Sequence, residues 1–191
     1  MKTHLSALAI LCALTSPAQA ASNDGVVGTH ARVEVGGSHF SVASPTTRLA
    51  PDDHGQAAKV FIGYRFDTGL GLEVGYAALG SFSEGIAVGN TGGQQVLKGR
   101  SVLAAATGRW PVGESFAWHG RLGLSSGRVF GTDRLPQANP LSGSRVSPLV
   151  GLGAEYRPRS NMALTLNYDN YGKLSNQVKA SALLFGLHFT L

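Results

Sequence analysis

Eight segments of this chain alternate apolar with small or polar residues, and the connections between them alternate too, short then long. Period-two alternation is the pattern of a strand whose two faces meet different surroundings. The spacing predicts strands at about 31–42, 57–67, 70–82, 97–110, 116–128, 147–157, 161–171 and 180–191. Between the second and third lies "DTG", between the fourth and fifth "PVGES", and between the sixth and seventh "RPRSN". These are tight turns built from Gly, Pro, Asp, Asn and Ser. The remaining connections, "ASPTTRLAPDDHGQ", "SEGIAVGNTGGQQ", "VFGTDRLPQANPLSGSR" and "GKLSNQVK", are long and polar. Short connections therefore fall at one end of a sheet and long ones at the other. The final segment, "SALLFGLHFTL", is a long greasy strand at a chain terminus, where an unpaired edge invites aggregation. Pairing with the first strand removes that edge.

The faces indicate which solvent surrounds such a closed sheet. One face carries Val60, Ile62, Tyr64 and Phe66 in the second strand, and Leu70, Leu72, Val74, Tyr76, Ala78 and Phe82 in the third. The opposite face carries Lys59, Gly63, Arg65 and Asp67, then Gly71, Glu73, Gly75, Ala77 and Ser81, with Leu79 as an exception. Small residues mixed with isolated charges of both signs suit a narrow lumen filled by side chains, with lipid outside. Aromatics cluster at both ends: Phe66, Trp110, Phe116, Trp118, Tyr156 and Phe189 near the short turns, and Phe40, Phe82, Tyr168 and Tyr171 near the long loops. Two interfacial girdles are expected from that distribution. The fold class is thus all-β, an eight-stranded antiparallel up-and-down transmembrane β-barrel. Short turns at Thr68, Gly113 and Arg159 are expected in the periplasm, and loops containing Asp52, Gly92, Gln137 and Ser175 outside the cell.

The opening "MKTHLSALAILCALTSPAQA" has Lys2 and His4, an apolar stretch from Leu5 to Leu14, and a small-x-small ending at Ala18-Gln19-Ala20. That is the layout of a signal peptide, residues 1–20, cleaved after Ala20. The domain expected after cleavage is residues 21–191. Leu11 before Cys12 stands where a lipoprotein signal has a small residue, so Cys12 reads as part of the apolar core of the leader. The mature part then has no cysteine and no disulfide. It keeps fifteen of the sixteen Lys and Arg against eleven Asp and Glu, a balance of +4 too dispersed for a nucleic-acid surface. The 26 glycines are scattered throughout, which disfavours helices.

At "VGLGAEYRPRSNMALTLNYDNYGKL" (150–174), "FIGYRFDTGLGLEVGYAALG" and "AWHGRLGLSS", the chain resembles the OmpA-like transmembrane barrel family of small outer-membrane β-barrels, with its opacity- and OmpX-like relatives. The resemblance implies a monomeric barrel in the outer membrane, inserted by the barrel-assembly machinery, with a polar interior and little or no open channel. No peptidoglycan-binding domain follows Leu191, so no cell-wall tether is expected. The terminal residue is Leu191 where the family usually ends in an aromatic, with Phe189 two positions back.

Face assignment puts Glu34, Lys59, Arg65, Glu73, Arg109, Arg121, Glu155 and Asp169 in the lumen, with His119 and His188. Unpaired charges in so narrow a space are costly, so they are expected to pair. The network is either a gate that rearranges to pass ions or a fixed plug. Eight strands enclose a lumen just wide enough for side chains, which favours the plug. Across the first turn the pattern predicts Asp67 opposite Gly71 and an Arg65–Glu73 ion pair, which a register tighter by two would leave diagonal but within reach of long side chains, with Arg121 as a second partner for Glu73. Near the long-loop end Arg48, Lys98, Arg100, Arg128, Arg134, Arg145, Lys173 and Lys179 outnumber the acids, a rim suited to lipopolysaccharide phosphates or to a solvated surface. The long loops are also placed to meet a host or surface ligand.

Enzyme readings are thin. His39 and Ser41 share a face, as an outer-membrane lipid A deacylase needs, but no acid is placed to orient the histidine. Asp52-Asp53-His54 reads as a turn, because three adjacent residues seldom converge on one ion without further ligands. No catalytic residue, cofactor or metal ligand is assigned from the sequence. A structural or surface-interaction role is expected, with a small diffusion pore as the alternative.

Overall fold

A computed structural model describes residues 27–42, 53–88, 91–131 and 141–191 of the chain. The expected signal peptide, Arg48 and Arg134 lie outside the described residues. Among those described, eight antiparallel strands form one closed barrel in sequence order. They are β1 (Gly28–Val42), β2 (His54–Arg65), β3 (Leu70–Val88), β4 (Thr91–Val112), β5 (Phe116–Gly131), β6 (Gly143–Arg159), β7 (Met162–Lys173) and β8 (Val178–Thr190). β8 pairs with β1 from His30↔Thr190 to Val42↔Val178, so the greasy last strand has no free edge. Closure satisfies the backbone groups of the sheet from within, as a lipid surround demands.

Seven of the strands, all but β1, extend further toward the long loops than alternation alone indicates. β4 has 22 residues and β3 has 19, whereas a tilted strand crosses a bilayer in about 9–11. The surplus stands above the lipid, and there the polarity of the wall inverts. Lower on the barrel, Leu72, Val74, Trp118, Leu122, Leu124, Val150, Leu152, Leu166, Leu183 and Phe185 point outward and are largely exposed. Toward the long loops the outward positions become Lys98, Arg100, Ser126, Arg128, Ser144, Lys173 and Lys179. Inside at that level sits an apolar cluster of Phe40, Leu79, Phe82, Leu97, Leu103, Val129, Leu149, Tyr171, Leu174, Val178 and Leu184. Water outside and an oily interior is the ordinary arrangement of a soluble barrel. This chain has both arrangements stacked along one axis.

That inversion corrects the expected girdles. Phe66, Trp110, Phe116, Trp118 and Tyr156 are exposed around the short-turn end, with Phe116 and Tyr156 rings 4.8 Å apart. Of the four aromatics expected at the other end, Tyr168 alone faces outward. Phe40, Phe82 and Tyr171 are buried, and Phe40 stacks on Phe82 with centroids 4.3 Å apart. For Phe82 the cause is a bulge between Ala78 and Gly80, where Gly80 has φ +79°. The extra residue reverses the facing, so Ser81 turns out and Phe82 turns in.

The first turn is tighter than expected. Phe66 N donates to Leu70 O at 2.8 Å and Gly69 adopts φ +76°, so Asp67 and Thr68 lie in the turn. Gly69 serves there because a side chain strains that conformation. The register becomes Arg65↔Gly71 and Gly63↔Glu73.

Candidate functional site

Parity along the strands sends a set of long charged side chains into the lower lumen. Glu34, Lys59, Arg65, Glu73, Arg121, Glu155 and Asp169 are all buried, and Arg109 lies at the short-turn mouth with its side chain 10% exposed. Their inward neighbours are often glycine, and this supplies the room. A Cβ at Gly63 would lie 2.7 Å from His30 Nε2 and 2.8 Å from Glu73 Cγ. At Gly151 and Gly153 it would collide with the side-chain oxygens of Asp169 and Asn167.

The charges fall into two groups. In the central group, Glu73 on β3 receives His30 Nε2 at 3.0 Å, Arg32 Nη2 at 3.2 Å, and Arg121 Nε and Nη2 at 3.2 and 3.1 Å. Arg121 Nη1 also donates to Asp169 Oδ1 at 2.6 Å. Lys59 bridges Asp169 and Glu34, the latter at 2.6 Å. Asn167 Nδ2 donates to Glu34 Oε1 at 2.5 Å, and Asn167 Oδ1 meets His119. Arg32 lies 3.4 Å from His119 Nε2 and 3.7 Å from Glu34. Phe61 forms the ceiling, with the Arg121 guanidinium 4.5 Å and Lys59 Nζ 4.6 Å from its ring centre. The lower group centres on Glu155, which accepts from Arg109 Nε at 3.1 Å and Arg157 Nη2 at 2.7 Å, with His188 Nδ1 at 3.0 Å. The His30 and His188 rings, 4.9 Å apart, join the two groups.

Glu34, Lys59, Glu73, Arg121 and Asp169 thus come together, and Arg109 meets Glu155. The Arg65–Glu73 pair does not form, because the tighter turn sets Gly63 rather than Arg65 beside Glu73. Arg65 lies instead in the field of Glu155, with Arg32, Arg109 and Arg157 opposing it. The second partner expected for Glu73, Arg121, is present. Sequence reasoning missed Arg32, His30 and Arg157. Two of these were accessible by parity, since residues 30 and 32 share the face of Glu34.

Among the rim residues, Lys98, Arg100, Arg128, Arg145, Lys173 and Lys179 are exposed on the outer wall above the lipid-facing belt. Arg100 lies over the Phe130 ring at 5.0 Å, and Arg145 Nη1 donates to Asn176 at 3.0 Å. Arg100 stands directly opposite Arg128, and Lys173 opposite Lys179. At the outer ends of β1 and β2, His39, Asp53 and His54 converge. The turn expected at Asp52-Asp53-His54 does not reach its last residue, because His54 opens β2 and pairs with His39, and His39 does have an acid, Asp53, beside it; Asp52 lies outside the described residues.

Similar architectures occur among solved structures. Neisserial surface protein A matches with a TM-score of 0.60 at 17% identity, over 86% of this chain and 97% of that one. OprG of Pseudomonas aeruginosa matches with 0.58 at 13% identity, over 89% and 100%. Ail of Yersinia pestis, in complex with the heparin analogue sucrose octasulfate, matches with 0.53 at 18% identity, over 85% and 98%. At such identities these likenesses concern the fold. No curated protein sequence matches the chain. The family described as outer membrane protein beta-barrel domain matches residues 6–190, nearly the whole chain. A closed eight-stranded wall, lipid-facing over its lower part, accompanies that match. The chain is a member of this family of small outer-membrane β-barrels.

Proposed function

We propose that this protein is a monomeric, plugged barrel whose outer rim binds polyanions: lipopolysaccharide phosphates within the outer leaflet, and sulfated or phosphorylated ligands on a host or neighbouring surface. The observation that carries the reading is the pair of cross-strand oppositions Arg100↔Arg128 and Lys173↔Lys179. Like charges directly opposite each other destabilise a sheet. An anion bridging each pair turns that repulsion into binding, with guanidinium forks supplying two-point contacts. Lys98 and Arg145 extend the same surface. The complex of Ail with a sulfated sugar lends the reading support by analogy of fold.

The interior supports a plug rather than a gate. An ion entering from outside meets the apolar cluster around Phe40, Phe82 and Leu149, and below it the ion-paired centre. Both layers would have to part together. Export by the signal peptide ending at Ala20 and insertion by the barrel-assembly machinery complete the reading, which assigns no catalytic step.

Purified protein should bind lipopolysaccharide and sucrose octasulfate in a salt-sensitive manner, and Arg100→Ser with Arg128→Ser should weaken both. Unchanged binding by the double variant removes the rim from the reading. Stable stepwise conductance in a planar bilayer would replace the plug with a small diffusion pore.

A further inference from the structure

We propose that His39, Asp53 and His54 form a surface site for one divalent transition-metal ion of the zinc class, clipping together the outer ends of β1 and β2. His39 and His54 are direct partners in the β1–β2 register, so their side chains leave the sheet side by side on its outer face. Their rings lie 5.1 Å apart. Phe40 N donates to Asp53 O at 2.8 Å, which continues the ladder one step and fixes the backbone that carries the carboxylate. That carboxylate sits between the imidazoles: Oδ1 is 2.7 Å from His54 Nδ1 and Oδ2 is 3.6 Å from His39 Nδ1.

One donor atom from each residue falls within 4.8 Å of the others. Tetrahedral coordination with bonds of about 2.0–2.1 Å places ligand atoms roughly 3.4 Å apart. Closing that gap takes small rotations of the imidazoles, which are 50% and 76% exposed. Two imidazole nitrogens and one carboxylate oxygen are a borderline donor set that suits zinc, copper(II) or nickel(II), whereas calcium and magnesium take oxygen ligands. Water completes the shell. The basic rim comes up to the site at Lys179, which pairs with Ser41 on the adjoining β8, but none of the three ligands is a rim residue and the site does not depend on polyanion binding there.

The test is zinc titration of untagged, detergent-extracted protein in competition with a fluorescent chelator, with cobalt(II) absorption as a second readout. One ion should bind per barrel, and His39→Ala and His54→Ala should each weaken it at least about tenfold. Retained heat-dependent gel mobility of both variants shows that the barrel remains folded. No saturable binding up to millimolar zinc would overturn the site. So would unchanged binding by the double variant, because the ion would then be held elsewhere.

Discussion

Replacing Glu73 by Gln probes the ion-paired centre at its most connected acid. The carboxylate is 1% exposed and faces three bases, His30, Arg32 and Arg121, at 3.0–3.2 Å. The amide is nearly isosteric, so the change removes charge and leaves shape. Breaking a buried ion pair by removing one partner costs about 3–5 kcal/mol, because a charge is stranded. Here the stranding is partial. Arg121 keeps Asp169 at 2.6 Å, and Arg32 keeps Glu34 at 3.7 Å. The lower limit, about 3 kcal/mol, is therefore expected. With an m value of about 2–6 kcal/mol per molar in guanidinium, the unfolding midpoint should fall by about 1 M. Trp110 and Trp118 on the lipid face report the transition by fluorescence from lipid-refolded protein. Glu155→Gln is the graded companion. Its arginine partners lie near the short-turn mouth, with side chains 10% and 13% exposed, so water compensates and the loss should be about 1–2 kcal/mol. Glu114→Gln, in the exposed turn after β4, should be neutral within about 0.5 kcal/mol. If Glu73→Gln matches Glu114→Gln, the paired centre does not hold the barrel together and the reasoning fails.

Three further outcomes follow from the polarity inversion and the topology. Leu152→Arg, in the lipid-facing belt, should cost about 2–4 kcal/mol, while Ser144→Arg on the same strand above the belt should cost about 0–1, both read from unfolding in lipid. Phe40→Ala should lose about 3–5 kcal/mol by the same measurement, since it empties the apolar layer where Phe82 stacks. A membrane-impermeant maleimide applied to intact cells should label Asn176→Cys and leave Glu114→Cys untouched; labelling of the second would invert the topology.

Much of the architecture was legible before any coordinates. Alternation marked all eight strands, and the contrast between "DTG" and the long polar loops separated the two ends of the barrel. The limits lay where pattern depends on geometry. Register across the first turn depends on the Gly69 conformation, and a slip of two there moved Arg65 away from Glu73. Phe82 was assigned outward because a bulge at Gly80 leaves no trace in a period-two count. Phe40 and Tyr171 were read as girdle aromatics because alternation distinguishes two faces without saying where lipid gives way to water. Asp53 and His54 lacked a third ligand in the linear sequence, since His39 reaches them only through strand pairing.

The central contacts also bear on how the barrel enters the membrane. Glu73–Arg121 joins β3 to β5, Arg121–Asp169 joins β5 to β7, and Lys59–Asp169 spans β2 to β7. None of these pairs belongs to one hairpin; Glu34 and Lys59, opposite each other on β1 and β2, are the exception. Taken alone, the β2–β3, β4–β5 and β6–β7 hairpins carry Glu73, Arg121 and Asp169 without the counter-charges they meet in the barrel, and hydrocarbon penalises each of them heavily. The centre gains its pairs as successive hairpins meet, and Asp169 on β7, the partner of both Arg121 and Lys59, completes it.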